Sequence, residues 1–209
     1  MADILWVEDW PKQFLGISAD RPLAEGRHGD PGHDSGSLSR VNLYTDRDAW
    51  QSTADNLTKI EFHGIAPPRG YAKFDTNRGL TISGVKFVGH GLDQKTYSLA
   101  VVSAVDNRHV SCWGPGDKLQ GGGREIAIFL PPNTTTVGVD VMVTCQAFVP
   151  ADAFCTLTLS TGDIFDRIPS LPPPNRAFAG VVSRRPIRWM KLESSGTFPL
   201  LDGFSFGRE

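Results

Sequence analysis

Short stretches in which apolar and polar residues alternate occupy most of the chain after residue 40. Segments such as GLTISGVKFVG, REIAIFLPP and LLDGFSFG are each closed by glycine, proline or another turn residue. A period of two is typical of strands that bury one face. Seven or more such strands, together with 22 glycines and 15 prolines, predict an all-β fold, an antiparallel β-sandwich. The sequence has no repeat of fixed period, which argues against a propeller or a solenoid.

One short helix is predicted near the start of this pattern. The stretch YTDRDAWQSTA offers Thr45 or Asp46 as an N-cap, and the strand-like LTKIEFHG follows it. Residues 1–40 mix aromatic side chains with proline and glycine and lack a helical period. We therefore expect an N-terminal extension and loop over residues 1–40 and one sandwich domain over residues 41–209.

The segment RHGDPGHDSG, residues 27–36, places two histidines and two aspartates among turn residues. These side chains are zinc ligands in other proteins, and a loop folded on itself would gather them around a metal. Asp30-Pro31-Gly32 is a strongly turn-forming sequence, however. A turn here prevents the helix that would place His28 and His33 on one face. The pattern favours a linker between the extension and the sandwich.

Two of the three cysteines fall in a predicted hairpin. TTVGVDVMVTCQAFVPADAFCTLTLSTGD reads as two alternating strands around a turn at Pro150, with Cys145 opposite Cys155 on the apolar face. A disulfide between them is one interpretation, and two small buried thiols is the other.

Asp202 is the acid with the most interesting position. It has the same parity as Phe204 and Phe206, so a regular strand would turn its carboxylate towards the side of these two rings. A carboxylate on an apolar face needs a partner. The simpler alternative is a turn residue that accepts backbone N–H bonds and binds nothing.

The order of the motifs LYTDRDAWQSTADNLTKIEFHG, REIAIFLPPNTTTVGVDV, NRAFAGVVSRRPIRWMKLES and LLDGFSFG resembles the jelly-roll domains of bacterial exported and surface-anchored proteins. The resemblance covers about residues 41–207. It departs from the family where His63 follows Phe62 in place of an acid, and where the chain stops at Glu209 without a sorting tail.

This resemblance implies a fold of jelly-roll type similar to carbohydrate-binding modules, and an extracellular or cell-surface location. It also implies a structural calcium ion, held by Asp202 together with Glu61 or an N-terminal aspartate. No other cofactor is expected.

The segment DNRHVSCWGPGDKLQGGGRE is the predicted ligand-binding loop. Trp113 stands beside a Gly-Pro-Gly turn, and an exposed indole face stacks on sugar C–H groups. The hydrogen-bonding side chains around it are Asp117, Lys118, Gln120 and Arg124. The alternative is that Trp113 folds back and closes one end of the sandwich.

Charge and motifs limit the functions that remain. A net charge of -2 gives no footprint for nucleic acid. No apolar run predicts membrane insertion, and the start MADILWVEDW lacks the features of a signal peptide. None of the five histidines lies in an H-E-x-x-H pattern, and no G-x-S-x-G motif is present. We expect a non-catalytic module that recognises glycans. The alternatives are a structural or self-associating surface module and a polysaccharide-cleaving enzyme on the same scaffold.

Overall fold

The computed structural model describes residues 41–68, 70–75, 78–90, 99–104, 116–143, 154–169, 175–195 and 198–208. The chain divides into two units, Met1–Gly36 and Ser37–Glu209, and every described residue belongs to the second. The predicted extension, the RHGDPGHDSG segment, Trp113 and Cys145 therefore lie outside the described residues.

The described part contains fourteen strands and one short helix. In chain order they are β1 Val41–Tyr44, α1 Arg47–Gln51, β2 Asp55–Ile60, β3 Tyr71–Phe74, β4 Leu80–Ile82, β5 Val85–His90, β6 Leu99–Ala104, β7 Gly116–Gly121, β8 Glu125–Phe129, β9 Thr136–Val143, β10 Phe154–Leu159, β11 Ile164–Pro169, β12 Ala177–Ser183, β13 Trp189–Ser194 and β14 Pro199–Arg208.

The strands form two antiparallel sheets that pack face to face. Sheet A has eight strands in the order β1-β12-β9-β14-β7-β6-β3, and β2 pairs with the second half of β14. Sheet B has six strands in the order β11-β10-β13-β8-β5-β4. The prediction of an all-β antiparallel sandwich is confirmed, while the assignment to the jelly-roll type stays a prediction.

The core lies between the sheets and follows the alternation of each strand. In β9, Val137, Val139 and Val141 face inward, and all three are almost fully buried. In β10, Cys155, Leu157 and Leu159 do the same from the other sheet. Burying each such side chain contributes about 1.5–3 kcal/mol to the free energy of folding. The alternating apolar residues are therefore the main source of stability of the sandwich.

Helix α1 covers the outer face of sheet A at two glycines. Asp46 caps the helix by accepting a hydrogen bond from the Ala49 N–H, which confirms one of the two predicted caps. Trp50 is fully buried and lies over Gly138 and Gly180, which are paired across β9 and β12. A Cβ atom on either glycine would come within 2.6 Å of the Trp50 ring. The two glycines are therefore required by the close approach of the indole.

A β-bulge in β14 changes the predicted direction of Asp202. The pairing of β14 with β9 shifts register between Leu201 and Phe204, and both of these side chains lie in the core. The extra residue reverses the alternation, so Asp202 lies on the outer face, opposite Phe204. The prediction that Asp202 and the phenylalanines share a side is wrong because it assumed a regular strand.

The predicted hairpin of β9 and β10 is also wrong. β9 pairs with β12 and β14 in sheet A, whereas β10 pairs with β11 and β13 in sheet B. Both strands bury one apolar face, and alternation alone does not reveal which sheet a strand joins. Without this hairpin, the sequence pattern no longer places Cys145 opposite Cys155. Cys155 is buried in the core, and a disulfide with Cys145 stays a prediction.

Candidate functional site

Strand β7 places three of the predicted ligand-binding residues, Asp117, Lys118 and Gln120, on two different faces of sheet A. The segment Gly116–Gly121 is a strand between β6 and β14, not part of a glycine-rich loop. Leu119 points into the core, so its neighbours Lys118 and Gln120 lie on the outer face of sheet A. Asp117 is on the same side as Leu119. Arg124 is exposed in the turn after β7, where its backbone carbonyl accepts the Ser194 N–H at 2.8 Å.

Lys118 and Asp202 form the centre of a polar cluster on the outer face. The Lys118 Nζ lies 2.9 Å from the Asp202 Oδ1, and only 3% of the lysine side chain is exposed. Arg176, just before β12, donates from Nη1 to the Asp202 Oδ2 at 2.5 Å. The carboxylate is thus held by one buried cation and by one cation that is 57% exposed. Charge-assisted bonds of this kind fix the orientation of all three groups.

The cluster continues across sheet A towards helix α1. The same Arg176 Nη1 lies 4.0 Å from the Asp140 Oδ2, and Asp140 forms a second ion pair with Arg47. The Arg47 guanidinium also lies over the Phe178 ring, with 4.4 Å between its central carbon and the ring centroid. Cations and anions therefore alternate from Arg47 to Lys118, with three positive and two negative groups.

The register of the strands extends this cluster into a row. Tyr71 pairs with Val102 and Val102 with Lys118, while Asp140 pairs with Phe178 at the other end. We call the row the charged strip: Tyr71, Val102, Lys118, Asp202, Asp140 and Phe178. It crosses six neighbouring strands, or about 24 Å at the usual strand spacing. Tyr71, at 42% exposure, is one of the large apolar side chains on the surface.

Gln120 lies next to the charged strip and has an unsatisfied acceptor. It is two residues from Lys118 along β7, on the same face, and only 7% of it is exposed. Its Oε1 atom is buried and has no hydrogen-bond partner in the described part of the chain. A buried carbonyl without a donor carries a desolvation cost that the described contacts do not offset.

Glu61, the other predicted calcium ligand, has a partner of its own. Its carboxylate lies 2.6 Å from the Lys59 Nζ and 3.9 Å from the His63 Nε2. The hydrogen bond from Lys59, and then the positive charge of Lys59, hold the pKa of Glu61 below its usual value of 4.5. Among the described residues, no three acidic, histidine or cysteine side chains form a group suited to a metal ion. Calcium binding by Asp202 and Glu61 stays a prediction.

Asp117 lies in a different environment, at a depression near one end of β6 and β7. Its Oδ2 accepts the Gly64 N–H at 2.9 Å, and its partner across the strands is Ser103. The depression has a volume of about 630 Å³ and is otherwise lined by Gly64, Ile65, Ala66, Pro67 and Pro68. Asp117 faces the side of sheet A opposite to the charged strip, because residues 117 and 118 alternate along the strand.

Sequence reasoning missed Arg176 and Asp140, which complete the cluster around Asp202. Asp140 stands at an outward position of TVGVDVMV, between valines that face the core, so the alternation marks it as an outer-face acid. Arg176 precedes β12 and carries no comparable signal, because its place beside β14 depends on the order of the strands in the sheet.

No protein-family model matches the chain, and no curated protein matches it. Within the described residues, no helix is long and apolar enough to cross a membrane.

Proposed function

We propose that this protein is a non-catalytic recognition module that binds carbohydrate on the outer face of sheet A. The proposal rests chiefly on one observation, the ion-pair cluster of Lys118, Asp202 and Arg176, in which the Arg176 side chain is 57% exposed. Such a group of fixed donors and acceptors on a β-sheet suits a ligand that is rich in hydroxyl groups.

The electrostatics of the charged strip support this assignment. A sugar hydroxyl donates a hydrogen bond to a carboxylate and accepts one from a guanidinium. Two neighbouring hydroxyls on a sugar ring can bind both groups together. Arg176 and Asp202 present these two functions side by side, with the arginine more than half exposed. Their mutual ion pair orients them before a ligand arrives, which lowers the entropy lost on binding.

Tyr71 supports a binding surface longer than one sugar ring. It lies three strands from Asp202 along the charged strip, or about 14 Å at the usual spacing. An exposed aromatic ring offers an apolar face and a hydroxyl at its edge, which suits contact with a pyranose. A glycan laid across the strands would contact Tyr71 and the Arg176–Asp202 pair together, and a contact with Trp113 stays a prediction.

The resemblance to jelly-roll domains adds three proposals of its own: a jelly-roll strand order, an extracellular or surface location, and a calcium ion at Asp202 and Glu61. The calcium proposal has a direct test. We expect a higher melting temperature when calcium is added back to chelator-treated protein, because the ion binds only the folded state. An unchanged melting temperature would reject it.

Affinity electrophoresis of the full chain in soluble polysaccharides tests glycan binding. We expect retardation in at least one polysaccharide, and weaker retardation of Arg176→Gln and Tyr71→Ala. Arg184→Gln is the matched control, since Arg184 is an exposed arginine beyond the end of β12 and the substitution changes the charge equally. Migration unaffected by every polysaccharide, or equal retardation of the Arg176 and Arg184 variants, would contradict the proposal.

Self-association is the second candidate, and the edge of sheet B favours it. Ile164 opens the edge strand β11 and is 63% exposed. An exposed edge with an apolar side chain is a site at which strands of two molecules pair. Light scattering of the full chain and of Ile164→Glu separates the two functions. A dimer that the substitution dissociates supports self-association, and a monomer at all concentrations rejects it.

A further inference from the structure

We infer that the depression at Asp117 is a second ligand site, which binds a small organic cation through its ammonium group. This site is separate from the charged strip, and the inference does not depend on the proposed glycan binding. It rests on the burial of one carboxylate, on the groups that face it, and on the shape of the surface around it.

The Asp117 carboxylate is buried with little compensation for its charge. Only 8% of the residue is exposed, and the contact recorded for its oxygens is the N–H of Gly64. Within the described part of the chain, no lysine, arginine or histidine nitrogen lies within 4.0 Å of it. A buried carboxylate needs an opposite charge or several hydrogen-bond donors, and the described residues supply one donor.

The walls of the depression are held in place by backbone hydrogen bonds. Gly64 is fixed by its bond to Asp117, and the Gly70 carbonyl accepts the Ser103 N–H at 3.0 Å. The Gly70 N–H in turn donates to the Pro67 carbonyl at 3.0 Å. The segment that faces Asp117 is thus tied to β6 and β7 on both sides, as expected of a preformed site.

The lining favours a ligand with a charged head and a compact carbon skeleton. Ser103, 6% exposed and directly across from Asp117, supplies a hydroxyl that accepts a second ammonium hydrogen. Ile65, Ala66 and the two prolines present carbon surface around these polar groups. A volume of about 630 Å³ falls in the range of small-molecule sites.

Three ligands with the same ring and different charge test the inference: cyclohexylamine, cyclohexanol and cyclohexanecarboxylate. Titrations of the full chain are followed by the NMR signal of the Gly64 amide, which donates to Asp117. We expect a saturable shift with cyclohexylamine and none with the alcohol or the acid. A shift of equal size with cyclohexanol, or no saturable shift with the amine, would overturn the inference.

Variants separate this site from the charged strip. Asp117→Asn keeps an acceptor for the Gly64 N–H, and we expect it to weaken amine binding by at least about tenfold. Asp166→Asn, at an exposed aspartate of β11 in sheet B, is the matched control and leaves amine binding unchanged. If Asp117→Asn does not fold, Ser103→Ala serves instead, with a smaller loss. Equal affinity of the wild type and a folded Asp117→Asn protein would overturn the inference, whatever the outcome with polysaccharides.

Discussion

Two aspartates on either side of the same buried lysine have opposite electrostatic surroundings. Asp202 contacts Lys118 across the strands and binds Arg176 as well, so two cations hold its carboxylate. Asp117 directly precedes Lys118 in β7, yet it faces the other side of the sheet and accepts a bond from Gly64. Neighbouring positions in a strand thus belong to different sites. Within the described part of the protein, cations balance the charge of Asp202 and not that of Asp117.

We therefore assign the two carboxylates different roles: Asp202 stabilises the fold, and Asp117 binds a ligand. The ion pairs of Asp202 stabilise the folded state, and the exposed part of Arg176 remains available to a ligand. The Asp117 carboxylate has no such pairs among the described residues, so its burial opposes folding unless a ligand supplies the charge. Substitutions at the two positions should therefore change stability in opposite directions.

The largest effect is expected for Lys118→Met. Methionine keeps the length of the side chain but leaves Asp202 with Arg176 as its cation, and removing one partner of a buried pair is strongly destabilising. We expect a loss of about 3 kcal/mol in the free energy of unfolding, measured by urea denaturation. A loss below about 0.5 kcal/mol would mean that the Lys118–Asp202 pair contributes little.

A smaller loss is expected for Asp202→Asn, at about 2 kcal/mol, because the amide still accepts hydrogen bonds but no longer balances two cations. In the double variant Lys118→Met/Asp202→Asn the two losses should not add. We expect a coupling energy of about 1–2 kcal/mol from the four urea curves. Additive losses would show that the two side chains act independently.

The substitution Asp117→Asn provides the contrast. The asparagine oxygen still accepts the Gly64 N–H, and the buried charge is removed. We expect no loss of stability, and a gain of up to about 1 kcal/mol, in the same urea experiment without ligand. A loss as large as that of Asp202→Asn would indicate that the charge of Asp117 is balanced in the free protein.

The smallest effect concerns Glu61, whose pKa is lowered by Lys59 on the surface. A lowered pKa in the folded state stabilises the protein above the usual value of 4.5, and this contribution is lost as the pH falls through the folded pKa. In Lys59→Met the pKa of Glu61 should rise towards 4.5, as followed by NMR titration. An unchanged pKa would assign the shift to His63 or the backbone instead.

Much of the fold could be predicted because burial imposes a period of two on each strand. The valines of β9 and the alternating residues of β10 were placed correctly on this basis, and so was the cap of α1 at Asp46. Strand β7 was missed because glycines flank it on both sides and its outward positions are polar. The partners of β9 and β10 were missed because either sheet would bury the same pattern.

The candidate sites depend more strongly on tertiary structure. Lys118 and Gln120 were selected from the sequence for the ligand-binding loop and Asp202 for the calcium site, and the pairing of β7 with β14 brings them together. The bulge after Leu201 turns Asp202 to the outer face. Neither feature is visible in a pattern of single residues, because both arise from the register between strands distant in sequence.

The sequence by itself determined which residues are buried along each strand, since the transfer of apolar side chains from water acts locally and with a period of two. It also determined the short helix, whose cap at Asp46 is one of the two that the pattern offered. The need for glycine at positions 138 and 180 arises from the packing of Trp50 on sheet A. The tertiary structure alone decided which strands are neighbours, and hence that Arg176 and Lys118 share the Asp202 carboxylate while Asp117 remains without a cation among the described residues. Ion pairs form only between groups a few ångströms apart, so the order of strands in the sheet decides which charged side chains pair with each other.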